Sequence, residues 1–480
     1  MLKDLFKGSI IYGLAPFVPR IITVLLLPIL TSYLTSIDYG IIGTITAVTF
    51  AVESLRDLGL RALLPNYFYK CPFQYKVAWR EIYGFLSLWM ILFAIIQALV
   101  LFLFIPKEAE TNKWNIILLS NFSTVLFGPT SIIGSMYYQL NLKPMPVAAR
   151  TVMSSIVTII ANFVCVVVYK WGYMGAYVGS FAGSFFVNLS YWPVVNRKLG
   201  LSPIYNFKWR TIYRILKVSV PTIPHDYSGY LLTSSSVVAM NIYKMPQSDI
   251  GHLTMARNMS GIFDSIIYAI NQVFNPMCYK FIRDKNSTEM KRLLFTYIIM
   301  AYLMTFLYSL WARELYDILI SNDEIAKTYK LSIGLVMAFN YIPVYVYCGT
   351  YFFYHEQTVR LLLITFVSGV ISCIFYFASL PFLGVSGAII GFYIGCLYQG
   401  YSGYFFHFYK RNTIYDLSWK RFLSIQLFLT AIVYYCVDFN IFVKLLISLL
   451  FLMVVGSFFY TRILGSDITF IKNLFHSVRA

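Results

Sequence analysis

The chain has 480 residues, a formal net charge of +18, 59% hydrophobic residues and 12% charged ones, with a mean hydropathy of +0.68. In a soluble domain such a charge would point to nucleic acid, but a chain this apolar must satisfy its backbone inside lipid. Composition therefore excludes a soluble fold and a nucleic-acid partner, and predicts an all-α polytopic membrane protein in contact with the bilayer.

Apolar runs of about 20 residues, each enough to cross a roughly 30 Å hydrocarbon core, recur about fourteen times. Their centres fall near Ile22, Ala51, Phe93, Leu126, Thr158, Gly183, Leu231, Ile266, Met300, Met337, Val370, Phe392, Leu429 and Leu449. The first span runs on for a full crossing without a small-residue cleavage site, so it reads as its own insertion signal. It carries Pro16, Pro19 and Arg20. Two missing amide donors loosen a helix there, and a mid-span cation beside the kink marks a gate or a site for an anionic group. A purely structural ion pair with a nearby carboxylate is the alternative.

The second span holds the densest chemistry. Glu53, Arg56, Asp57 and Arg61 are spaced by three, one and four residues. Helical geometry would put Glu53, Asp57 and Arg61 on one face with Arg56 beside them. Each charge costs roughly 2.5 to 3.5 kcal/mol at the centre of an inserted helix, so partners or a hydrated cavity must offset it. The competing reading is a self-neutralising ladder that holds helices together, with Arg61 snorkelling to the interface.

The chain then repeats itself. Asp38, Glu53 and Pro65 return as Asp249, Asp264 and Pro276, a constant offset of 211 residues (249 − 38), which is the signature of internal duplication. The Pro16 and Pro19 pair is echoed by Pro221 and Pro224, followed by His225 and Asp226. The next span adds Arg257 seven residues before Asp264, two helical turns along one face. His225 is able to titrate in the physiological range, and Asp226 and Asp264 are candidates to pair charge or couple protons with it. Gly172, Gly175, Gly179 and Gly183 recur as Gly384, Gly387, Gly391 and Gly395, a small-residue stripe suited to close helix packing. The duplication predicts an N-terminal six-helix lobe over 1–200, a second over 201–411, and two additional helices with a tail over 412–480. Proteins built from two such halves usually carry their substrate path between them.

Roughly 26 of the 38 Lys and Arg residues fall in alternate loops that would share one side, and about 8 fall on the other, which predicts cytoplasmic termini. The seven cysteines have no metal-ligand spacing and read as packing residues. The absence of G-x-x-x-x-G-K-[ST] and of long loops argues against ATP, and no cofactor or metal is expected. The longest outer loop is also too short for a catalytic domain, so an enzyme is disfavoured.

Residues Leu27-Pro-Ile-Leu-Thr-Ser-Tyr-Leu-Thr-Ser-Ile-Asp-Tyr-Gly40 resemble the first extracytoplasmic turn of bacterial polysaccharide-biosynthesis membrane proteins, the Wzx-type flippases of the MOP superfamily. Val220-Pro-Thr-Ile-Pro-His225, Asp249-Ile-Gly251 and Asn275-Pro276 resemble corresponding stretches of the second half. The family's charged Asp-Arg or Asp-Lys pair near the end of the seventh helix is replaced here by Ser234-Ser-Ser-Val237. The resemblance implies a fourteen-helix protein of the bacterial inner membrane that turns undecaprenyl-diphosphate-linked oligosaccharides to the outer leaflet. It implies a polysaccharide polymerase complex as a further partner. Arg20, Arg56, Arg61 and Arg257 have the sign to hold a diphosphate headgroup, while Glu53, Asp57, His225, Asp226 and Asp264 would pair charge or couple. The alternatives are a MATE-like exporter of small cations, which a cationic cavity would repel, and a membrane-embedded polymerase or glycosyltransferase.

Overall fold

A computed structural model describes residues 17–62, 64–70, 73–141, 143–220 and 223–459. Helices are the only regular secondary structure among the described residues, which contain no strand. They divide into two compact units at the Met255 to Ala256 bond.

The first unit begins with α1 (Phe17–Thr31) and α2 (Ser36–Glu53), then passes through a short 3-10 turn (Leu60–Ala62) into α3 (Leu64–Lys70). The long α4 (Tyr75–Phe104), α5 (Lys113–Leu140), α6 (Pro144–Asn162) and α7 (Tyr173–Pro193) follow. After these come α8 (Trp209–Ser219), α9 (Ile223–Leu232) and α10 (Ser235–Ile242). Helix α11 (Gln247–Arg283) crosses the unit boundary. The second unit continues with α12 (Ser287–Leu310), α13 (Ala312–Leu319), α14 (Tyr329–Ala338) and α15 (Ile342–Tyr354). It ends with α16 (Thr358–Leu383), α17 (Val385–Tyr401), α18 (Trp419–Cys436) and α19 (Ile441–Phe459).

Among the described residues seven helical stretches are long and apolar enough to cross a membrane by length and composition. They comprise α4, α5 with its preceding turn, α6 with its terminal π-helical turn, α12, the continuous stretch Tyr329–Tyr354, α16 and α19. Shorter or more polar helices such as α2, α7 and α17 pack against them, as expected of a polytopic bundle.

Both glycine stripes are helix contacts. Added Cβ atoms at Gly179 and Gly183 would lie 1.9 Å from Asn162 Oδ1 and 1.9 Å from Thr158 Oγ1 on α6. In the second unit, Cβ atoms at Gly387 and Gly391 would meet Ser379 and Tyr376 on α16 at 2.8 and 2.4 Å. Gly172 and Gly384, at the N-caps of α7 and α17, share a left-handed backbone with φ of 55° and 56°. Equivalent residues of the duplication thus make the same turn.

The start of α2 is fixed by a capping box in which Thr35 accepts from the Asp38 amide and Asp38 Oδ2 accepts from the Thr35 amide at 2.8 Å. The other Asp38 oxygen accepts from the Tyr173 amide of α7 at 3.0 Å, so one carboxylate satisfies the first turn of two helices.

Beyond that cap, α2 crosses the first turns of α11, and the contact is reciprocal in the repeat. A Cβ on Gly40 would stand 1.9 Å from the carbonyl oxygen of Gln247, and one on Gly251 would stand 1.8 Å from that of Ser36. Ser36 and Gln247 are equivalents at the repeat offset, as are Gly40 and Gly251. Gly43 faces Thr254, its own equivalent, with the added Cβ 3.1 Å from the threonine Cβ. Such self-complementary pairing is what a two-fold relation produces. A closed ring of side-chain hydrogen bonds flanks it. Thr44 donates to Gln247 at 3.2 Å, Gln247 donates to Asn241 at 3.2 Å, and Asn241 donates to Thr44 at 3.1 Å.

In the second unit α19 is fastened by a buried ion pair. Lys444 Nζ, with its side chain fully buried, lies 2.6 and 2.9 Å from the two carboxylate oxygens of Glu314 on α13. Trp311 reinforces the joint by donating to Ser448 at 3.1 Å.

Gly40→Ala and Gly251→Ala should each destabilise the purified protein by roughly 1 to 3 kcal/mol, because the obstructing atom is backbone and cannot rotate away. Gly456→Ala, where nothing lies within 4 Å, should leave the melting temperature unchanged in the same detergent. Glu314→Gln should cost about 3 to 5 kcal/mol by stranding the Lys444 charge. The double variant Glu314→Leu with Lys444→Met should melt well above that single variant. Thermal unfolding followed by tryptophan fluorescence reads both comparisons.

Candidate functional site

Helix α2 does not continue through the charged cluster. It stops at Glu53, and residues 54–59 form turns and a bend before the 3-10 turn. Leu58 and Gly59 take positive φ of 51° and 69°, a conformation that ends a helix and suits glycine. Asp57 Oδ1 accepts from the Gly59 amide at 3.0 Å, a local bond that competes with the helical ladder. The single charged face predicted for Glu53, Asp57 and Arg61 is therefore not formed. Arg61 sits exposed on the 3-10 turn.

The repeat shows why the helix breaks here. At the same offset, Arg56, Asp57, Leu58 and Gly59 correspond to Ile267, Tyr268, Ala269 and Ile270. Those residues lack both the competing carboxylate and the glycine, and α11 runs through them unbroken, with Pro276 inside it. The break is anchored from below, since Trp89 donates to the Leu55 carbonyl at 2.9 Å and Trp79 to the Leu64 carbonyl at 3.2 Å. Leu60, Leu64 and Trp79 belong to one buried core with Tyr83, Met90 and Tyr191.

The break gathers three of the predicted residues. Arg56 Nη1 lies 2.5 Å from Glu53 Oε1, with both side chains about one-third exposed (35% and 33%). Asp57 completes the group in a cleft of about 170 Å³ lined by Phe50, Glu53, Ser54, Arg56, Asp57 and Tyr230. Tyr230, buried on α9, meets the half-exposed ring of Phe50 edge-on at 6.0 Å. Ser54 Oγ is buried without a hydrogen-bond partner among the described residues. The lining carries two carboxylates and one guanidinium, a formal charge of −1.

Phe50, Ser54 and Tyr230 were not predicted from the sequence. Phe50 lies one turn before Glu53 and so shares its face. Tyr230 is 180 residues away from Phe50 (230 − 50) and no local pattern points to it.

Arg257 and Asp264 lie on the part of α11 that belongs to the second unit. Arg257 is partly buried and interacts electrostatically with Tyr376 of α16. Asp264 is exposed, and its charge is felt by Tyr341 and Cys396. Arg20 and Pro19 fall on α1, and His225 and Asp226 on α9, but their side chains lie outside the described residues. Pro16 and Pro221 lie outside the described residues altogether, while Pro224 is exposed in the first turn of α9. No group of three or more metal-ligating side chains occurs among the described residues.

A family model described as "Polysaccharide biosynthesis protein" matches residues 5–282. No curated protein sequence matches the chain. Among solved structures, the lipid II flippase MurJ in an inward closed conformation aligns with a TM-score of 0.71 at 17% identity, over 96% of this chain and 100% of that one. An inward-facing multidrug resistance MATE transporter of the MOP superfamily gives 0.59 at 14% identity, over 87% and 96%. A MOP superfamily transporter from Pyrococcus furiosus, whose binding pocket has reversed polarity, gives 0.55 at 12% identity, over 85% and 96%. At these identities the likeness is one of fold.

Gly59→Val tests the origin of the break. A β-branched residue at φ of 69° should lower stability by about 1 to 2 kcal/mol. Ala269→Gly on the unbroken helix should cost no more than about 1 kcal/mol. Equal losses from the two would show that the positive φ is not what holds the turn.

Proposed function

The chain belongs to the polysaccharide biosynthesis protein family, and from that membership we propose that it is a flippase for undecaprenyl-diphosphate-linked oligosaccharides. It moves them from the cytoplasmic to the outer leaflet of a bacterial inner membrane, with both termini cytoplasmic, for O-antigen, capsule or exopolysaccharide synthesis. The family match over residues 5–282 carries this reading, and the MOP-superfamily fold supports it.

Flipping requires a polar, anionic head to cross a layer that its lipid tail never leaves. Arginines inside the bundle supply charge-assisted bonds of the right sign for a diphosphate. Arg56 already faces Glu53 at 2.5 Å, and Arg61 is exposed beyond the break. By the sign of their charge alone, Arg20 in the first span and Arg257 on α11 are each proposed as cations for a diphosphate. Two uncompensated negative charges moving outward through an inside-negative potential of 100 mV gain roughly 4 to 5 kcal/mol, so the potential itself favours export. The duplicated lobes, 1–200 and 201–411, work by rocking so that the path opens to one side at a time. Polysaccharide polymerase proteins are partners for handing on the product, and the chain itself performs no covalent step.

Complementation in strains lacking their own flippase tests this proposal. Wild type should restore surface polysaccharide, and Arg20→Ala and Arg257→Ala, at equal membrane levels, should lower it tenfold or more. Failure of wild type across several donor strains together with efflux of small organic cations would establish a MATE-like exporter instead.

A further inference from the structure

We propose that the cleft at the end of α2 is a subsite for one uncharged sugar unit of the oligosaccharide, separate from the site that holds the diphosphate. The proposal rests on the flippase reading for its substrate and on the geometry of the first unit for its place. Four observations converge on it.

The first is charge. Glu53 and Asp57 outnumber Arg56, and the Arg56 guanidinium is engaged by Glu53 at 2.5 Å. A lining of net −1 disfavours a diphosphate. Sugar hydroxyls are neutral and both donate and accept. Carboxylates and a guanidinium side by side offer them charge-assisted bonds in both senses.

The second is the aromatic wall. Phe50 is half-exposed and meets Tyr230 edge-on at 6.0 Å, so the cleft has an aromatic part to its lining as well as a charged one. A pyranose has the same division, with C–H groups on its faces and hydroxyls around its rim, and an aromatic ring accommodates the former.

The third is unspent bonding capacity. Ser54 Oγ is buried with no partner, and Asp57 Oδ2 makes no hydrogen bond among the described residues, while Oδ1 is occupied by the Gly59 amide. Buried polar atoms are ordinarily satisfied, and Ser54 belongs to the lining of the cleft. The fourth is size. A volume of about 170 Å³ has room for on the order of ten waters, the scale of one monosaccharide ring with its hydroxyls.

Only the first repeat has this cleft-forming break, because only it has Asp57, Leu58 and Gly59 at that register. The duplication therefore supplies a scaffold with the sugar subsite on one side of its symmetry.

The test uses the full-length protein and two readouts. Complementation is scored across a panel of flippase-deficient strains whose repeat units differ in sugar composition, with Phe50→Ala, Asp57→Asn and the conservative Ser54→Ala at wild-type membrane levels. The subsite predicts a changed rank order: a fivefold or greater loss in some strains and less than twofold in others. Arg257→Ala should lower every strain alike. Unchanged values, or equal losses in all strains, would overturn the proposal. An equal loss that tracks external sodium would make the cleft a cation-coupling site instead.

The second readout needs no transport. Saturation-transfer NMR on protein in nanodiscs, with free oligosaccharides of the same panel as probes, should show transfer that is lost in Phe50→Ala and that inorganic pyrophosphate does not compete away. Competition by pyrophosphate, or no transfer from any sugar, would overturn the subsite. Failed complementation with sugar transfer intact would remove the flippase reading and leave the sugar site standing.

Discussion

A hydrogen in place of a side chain at Gly40 and Gly251 lets two helices touch through their backbones, and the rest of the first unit is arranged around that touch. Because Gly40 faces the carbonyl of Gln247 while Gly251 faces that of Ser36, each half of the repeat presents the same surface to the other. Neither contact tolerates a methyl group, so the approach cannot be relaxed one side at a time. The ring of hydrogen bonds through Thr44, Asn241 and Gln247 forms only when α2 and α11 are this close. In a lipid interior, where apolar association gives little driving force, close backbone packing and satisfied polar side chains are the available means of holding helices in register. Asp38 extends the same logic, since its two oxygens tie the start of α2 both to its own cap and to the first turn of α7.

From that shared crossing the two copies diverge. Downstream of the glycines, α11 runs on to Arg283, 32 residues past Gly251 (283 − 251), whereas α2 stops at Glu53 and turns. The difference lies in four residues, Arg56 to Gly59 against Ile267 to Ile270. Replacing helix-compatible apolar residues with a carboxylate that bonds its own backbone and a glycine that accepts a positive φ is enough to end the helix. A broken helix inside a membrane bundle leaves backbone polar groups that must find partners, and such breaks are tolerated where they are packed in protein or line a cavity. Here both conditions hold. Trp89 and Trp79 donate to the Leu55 and Leu64 carbonyls, and Ser54, Arg56 and Asp57 line the cleft.

Much of this organisation was legible in the sequence. Hydropathy established the polytopic class, and the constant offset between Asp38 and Asp249 exposed the duplication. The glycine stripes marked close helix packing, because small residues at helical spacing have few other uses in a membrane, and the structure supplies the partners, α6 for α7 and α16 for α17. The charged stretch in the second span was found, but its geometry was not. A periodic reading extends a helix through any residues of suitable spacing, and Glu53, Asp57 and Arg61 have that spacing. What overrode it was local turn chemistry at Asp57, Leu58 and Gly59, which a period count does not weigh. The aromatic wall was beyond reach for a different reason. Tyr230 reaches Phe50 only because α9 and α2 belong to one packed unit, and long-range proximity leaves no trace in either residue's neighbours.

The distribution of charge joins these structural facts to the proposed chemistry. A net charge of +18 suggests an unbroken attraction for anions, yet the alternation of lysines and arginines along the chain is the pattern by which polytopic proteins are oriented in a bilayer. Inside the first unit the local sign at the helix break is reversed. A substrate that is anionic at one end and neutral and hydroxylated at the other needs two environments, and placing its sugar beside carboxylates keeps the diphosphate from binding in the wrong register. The ion pair between Glu53 and Arg56 serves that purpose as well as a free carboxylate would. It cancels the guanidinium's attraction for phosphate while leaving donors and acceptors for hydroxyl groups. Under the proposed function, specificity for the sugar comes from which hydroxyls meet Ser54 and Asp57, and the driving force comes from the charge carried elsewhere.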